Sequence, residues 1–85
     1  MSERELLERI TYNPEIFRGK AIIRGHRLAV EHVLEMMAAG STVEDLLNHY
    51  EYLEREDIQA CLLYAARIVG NEYFEPVLVT SEAAG

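Results

Sequence analysis

The chain has 85 residues, 49% hydrophobic and 27% charged, with a formal net charge of −7. That is length for one domain in a globular composition range, and the acidic excess counts against strong non-specific attachment to nucleic acid. No apolar run approaches the roughly 20 residues of a membrane span, the polar start Met1-Ser2-Glu3-Arg4-Glu5 carries no secretory signal, and the lone Cys61 makes no internal disulfide, so the expected setting is the cytoplasm, off the membrane.

In chain order, Ser2 with Glu5 fits a capping box and predicts a short helix through about Ile10, with Leu6, Leu7 and Ile10 on one face. Thr11-Tyr12 is a candidate short strand before the turn at Asn13-Pro14. Lys20 to Ala29 reads as a β-hairpin, with Gly25 supplying positive φ at the turn and Ile22, Ile23 and Leu28 burying its flanks.

Helical spacing begins at Val30 and continues through Val33, Leu34, Met37 and Ala38 to Gly40, a helix-ending glycine. Ser41 with Glu44 predicts a second capping box, followed by Val43, Leu46, Leu47 and Tyr50 on one face. The third and longest of these helices follows Leu53. Glu54 is its expected cap, Leu53 and Ile58 its staple, and Ile58, Cys61, Leu62, Ala65, Ile68 and Val69 its apolar stripe, up to Gly70-Asn71.

The predicted fold is mainly α. It is a three-helix, homeodomain-like (helix-turn-helix) bundle preceded by a short β-hairpin, with an N-terminal helix at 1–10, the main domain at 11–70 and an extended tail at 71–85. A two-turn helix, a short link and a longer helix form the helix-turn-helix outline.

Arg18, Lys20, Arg24 and Arg27, with His26, make a basic window without an acid. These residues are candidates to contact DNA phosphates, to pair with acids of a second subunit, or to stand as a solvated edge that discourages sheet aggregation. On the third helix Arg55 and Gln59 are candidate base contacts, although Glu54, Glu56 and Asp57 at its start repel phosphate. The tail residues Tyr73, Phe74, Val77, Leu78 and Val79 form an extended apolar segment. It suits addition to a partner's sheet edge or groove, or folding back on its own bundle.

Chemistry-bearing patterns are sparse. The three histidines and Cys61 lack metal-ligand spacing, Ser2 and Ser41 read as helix caps, and no glycine-rich phosphate loop occurs. No catalytic residue, metal or cofactor is expected, and Cys61 reads as a buried small hydrophobe.

Ile10-Thr11-Tyr12-Asn13-Pro14 and Gly19-Lys20-Ala21-Ile22-Ile23-Arg24-Gly25-His26-Arg27-Leu28-Ala29-Val30 resemble the opening of the family called domain of unknown function 433. The likeness continues through Leu34, Ala39-Gly40-Ser41, Glu44-Asp45-Leu46-Leu47, Tyr50, Leu53, Glu56-Asp57-Ile58 and Ala60 to Tyr64-Ala65-Ala66, covering about residues 10–70. It implies a homeodomain-like fold behind a small hairpin. It also implies an antitoxin-like role: binding a PIN-like ribonuclease toxin, and repressing the module's own promoter DNA. Apart from the resemblance, a chain this short gains stability from a partner, so a homodimer or higher oligomer is expected. Ala21 and Ala29 stand where proline is frequent in that family, His26 where threonine is, Glu51 where proline is and Glu54 where a capping threonine is. The alternatives are a DNA-binding regulator without a toxin and a structural homodimer paired through hairpin and tail.

Overall fold

The computed structural model describes residues 1–71. They form α1 (Glu3–Leu7), β1 (Ile10–Thr11), a 3-10 turn (Phe17–Gly19), β2 (Ile22–Ile23), α2 (Val30–Ala38), α3 (Val43–His49) and α4 (Arg55–Asn71). The chain is thus mainly helical, with one two-stranded antiparallel sheet.

Ser2 caps α1 as expected. Its hydroxyl accepts the Glu5 N–H, and the Glu5 carboxylate accepts the Ser2 N–H at 2.9 Å. The helix stops at Leu7, short of the predicted Ile10. Ile10 is instead the first residue of β1, buried opposite Ile23, with Thr11 opposite Ile22. A five-residue helix is marginal by itself, and a β-branched residue gains more by packing in the sheet. The strand expected at Thr11-Tyr12 therefore lies one residue earlier.

The segment read as a Lys20–Ala29 hairpin is only partly one. The main partner of β2 is β1, and the returning limb meets β2 through a single bridge, Ile22 to Ala29. Between them the chain turns sharply: Ile23 C=O accepts the His26 N–H, and Arg24 and Gly25 have φ of 44° and 75°. Positive φ at both central residues is the pattern of the mirror-image hairpin turns. Gly25 adopts it at no steric cost, whereas Arg24 must be held there.

The end of α2 follows its glycine. Ser41 N–H reaches Met36 C=O and Gly40 N–H reaches Met37 C=O, a Schellman closure with Gly40 at φ 110°. The cap of α3 falls one residue later than predicted: Thr42, not Ser41, with Asp45, not Glu44. Ser41 is taken up by the Schellman closure, so Thr42 is the first residue free to cap. At α4 the Asp57 carboxylate accepts the Glu54 N–H at 2.9 Å, and Leu53 and Ile58 are both buried beside it. Gly70 lies within α4, which continues through Asn71.

Ile10, Ile23, Leu28, Val30, Val33, Leu46, Leu53, Ile58, Ala60 and Cys61 form one core joining sheet and helices. The predicted apolar stripes supply most of it. α1 lies against α4, with Leu6 packed on the core and Glu3 paired to Arg67.

Candidate interaction surfaces

Arg24 is held within the fold. Its Nε and Nη2 donate to the two carboxylate oxygens of Asp57 at 2.9 and 2.7 Å, and Nη2 also donates to Tyr52 C=O at 2.6 Å. Asp57 is fully buried. Arg9, from the link between α1 and β1, bridges Asp57 and Glu54 at 2.9 and 2.7 Å. Burial alone would push the Asp57 carboxyl up; the bonds from Arg24, the Glu54 amide and Arg9 outweigh it and hold the group below its ordinary value. The bond to Asp57 raises Arg24, and the bonds to Glu54 and then Asp57 raise Arg9. Two of the three acids that made the start of α4 hostile to phosphate are therefore neutralised internally.

The other basic candidates divide. His26 stacks on Tyr52, with ring centroids 3.8 Å apart and planes 11° from parallel. Lys20 pairs with Glu31 at 2.8 Å. Arg18 and Arg27 are exposed and form no ion pair among the described residues. On α4, Arg55 is paired to Glu44, while Gln59 is exposed. Tyr73, Phe74, Val77, Leu78 and Val79 lie outside the described residues.

Two surfaces emerge from what is left. The first is a cleft of about 380 Å³, where Phe17, Lys20 and Arg27 face His32 and Glu35 of α2, with Tyr50 at one side. Phe17 and Arg18 sit at φ 49° and 58°, left-handed values that are unusual for bulky residues. Strain of this kind costs about 1–3 kcal/mol per residue and persists only where the surroundings impose it. Phe17 itself is 42% exposed and lines the cleft. Phe17 lies outside any apolar periodicity, and its one signal in the sequence is an aromatic residue between a proline turn and a glycine.

The second surface is apolar. α4 runs beyond the core, leaving Ile68 and Val69 53% and 70% exposed, while Leu62, next to buried Cys61, lies on the side turned away from the core and is 48% exposed. Beside Val69 a cleft of about 350 Å³ separates Val30 and Leu34 of α2 from Tyr64, Ala65 and Ile68 of α4. The Tyr64 hydroxyl is hydrogen-bonded to that of Tyr12 at 2.9 Å, which with burial pushes Tyr64 up to about 12. Among the described residues no His, Cys, Asp or Glu cluster is suited to a metal, and no helix is long and apolar enough to cross a membrane.

Residues 10–65 match the model of a protein family of unknown function, DUF433. The chain belongs to that family. The matched span opens at β1 and closes within α4, so it contains the sheet, the Arg24–Asp57 pair and the strained turn, while α1 and the end of α4 lie outside it. The chain is also 36% identical over 58 residues to "Uncharacterized protein y4eO" of Sinorhizobium fredii (strain NBRC 101917 / NGR234), an alignment covering 68% of this chain. It spans about a quarter, 26%, of that relative's length. No solved structure matches.

Proposed function

We propose that this DUF433 chain is a non-enzymatic, antitoxin-like binding module that engages a PIN-like ribonuclease toxin. The observation that carries the reading is the Phe17 cleft. An exposed aromatic side chain on strained backbone shares this cleft with Arg27 and is followed in the chain by Arg18; neither arginine has an ion pair among the described residues. Aromatic and arginine side chains are the usual anchors of protein interfaces. This pair of cations suits an acidic partner surface, and the net charge of −7 counts against strong non-specific attachment to nucleic acid.

Co-purification with the product of the adjacent gene tests the proposal. Wild-type chain is expected to bind and to suppress that protein's ribonuclease activity. Phe17→Ala combined with Arg27→Glu is expected to weaken binding at least tenfold. A folded wild-type chain that does not bind removes the proposal.

A second reading is a homeodomain-like, helix-turn-helix DNA-binding regulator. It is favoured by the internal neutralisation of Glu54 and Asp57, which leaves Gln59 exposed on α4 behind a less acidic helix start. It calls for steeply salt-dependent binding to the chain's own promoter, with the slope reduced by about two when Arg18 and Arg27 both become Ala. An unchanged slope would exclude these arginines from a DNA surface.

A further inference from the structure

We infer that the apolar cleft between α2 and α4 is the seat of this chain's own residues 73–79, folded back from the end of α4. Val30 and Leu34 wall the cleft on one side, and Tyr64, Ala65, Ile68 and Val69 wall it on the other. The four α4 positions stand at i, i+1, i+4 and i+5, so they line one side of the helix. That side continues the stripe that buries Ile58 and Cys61. Where the stripe passes beyond the core, Ile68 and Val69 are left more than half exposed.

The chain that follows selects the occupant. α4 is described through Asn71, three residues past Ile68, and Tyr73, Phe74, Val77, Leu78 and Val79 come directly after it. Pro76 has no N–H for a helix ladder and disfavours helical backbone at Glu75, so the apolar residues beyond it do not extend α4. Reach is sufficient. Ala65 to Asn71 is roughly 9 Å of helix, whereas residues 72–79 span up to about 26 Å when extended. A segment tethered this closely meets the cleft at an effective concentration on the order of millimolar. A second copy must match that concentration while also overcoming the repulsion between two molecules of charge −7. The tether, not the apolarity of the cleft, thus decides between them. The two clefts share Lys20 and Glu31 at their rims, but this inference does not depend on the function proposed for the Phe17 cleft.

Nuclear magnetic resonance on the full chain tests the inference. Methyl contacts from Val77, Leu78 or Val79 to Val30, Leu34 or Ile68 are expected. In a mixture of isotope-labelled and unlabelled chain, they are expected within single copies. Val77→Asp with Leu78→Asp places a charge on each face of an extended segment, so one falls on the cleft whichever face docks. This variant is expected to lose the contacts and keep its helical circular dichroism. With the cleft uncovered, the fluorescence of added anilinonaphthalene sulfonate is expected to rise at least twofold over wild type. Should the variant lose helicity, the wild-type contacts decide alone. A wild type without these contacts overturns the inference, whether the cleft stays open or awaits a different protein. So do contacts that form only between copies, or a folded variant whose dye fluorescence equals that of wild type.

Discussion

The guanidinium of Arg24 clasps the carboxylate of Asp57 through two nearly equal hydrogen bonds, across 33 residues of sequence. The pair ties the turn after β2 to the first turn of α4, and Arg9 closes it from the other side. Because Asp57 also caps α4 at the Glu54 amide, one buried carboxylate organises helix start, sheet edge and turn together.

Removing that charge is expected to be costly. Asp57→Asn leaves two arginines facing a neutral group beside the core. Breaking a buried ion pair by loss of one partner costs about 3–5 kcal/mol. The low end applies because Arg24 keeps 31% of its side chain in solvent. A loss near 3 kcal/mol lowers the melting temperature of a domain this size by more than about 10 °C. Urea denaturation checks it; a change below about 1 kcal/mol would mean that water already screens the pair.

Acid should unfold the protein through the same group. The folded Asp57 carboxyl lies below its ordinary value, so the native state binds its proton more weakly than the unfolded chain. Its contribution is complete above the unfolded value of about 3.9 and is lost as pH falls from there through the lowered folded value. Urea midpoints are expected to drop on acidification through that window, and Asp57→Asn to show a shallower fall. The fall does not vanish in the variant, since hydrogen bonds with Ser2 and Thr42 lower Glu5 and Asp45 in the same sense.

Two arginines with similar backbone strain should respond oppositely to glycine. Arg18 and Arg24 both have positive φ, 58° and 44°. Arg18→Gly relieves strain at an exposed side chain with no ion pair among the described residues. Relief outweighs the added freedom of the unfolded chain, for an expected gain of a few tenths to about 1 kcal/mol. Arg24→Gly gains the same relief but abandons Asp57, for a net loss above about 2 kcal/mol. Thermal melts of the two variants decide it, and shifts of the same sign would contradict the assigned roles.

Cys61 should be silent in the native protein. It is fully buried, and burial together with the nearby Asp57 charge pushes its thiol up to about 12. Thiolate is the reactive form, so a thiol reagent near pH 8 is expected to label Cys61 only on unfolding, with a rate that rises as urea is added. Labelling as fast as a free peptide thiol would show α4 unseated from the core.

The sequence by itself determined the helical frame. Apolar spacing from Val30 to Val69 located α2, α3 and α4, Gly40 marked the end of α2, Ser2 capped α1, and Cys61 fell on a buried stripe. These features are legible because their causes are local: periodicity, chirality and capping act within a few residues. Tertiary structure decided the pairing of β2 with β1, the transfer of the α3 cap to Thr42, and above all the roles of the basic residues. Arg24 and Arg18 belong to one cationic window in sequence, yet one is clamped on a buried carboxylate and the other faces solvent. Nothing local separates them, since that difference depends on where the first turn of α4 comes to rest against the sheet. The same holds for the end of α4: its stripe reads as core throughout, but α2 and α1 leave Ile68 and Val69 uncovered, and only the packed fold shows where the core stops.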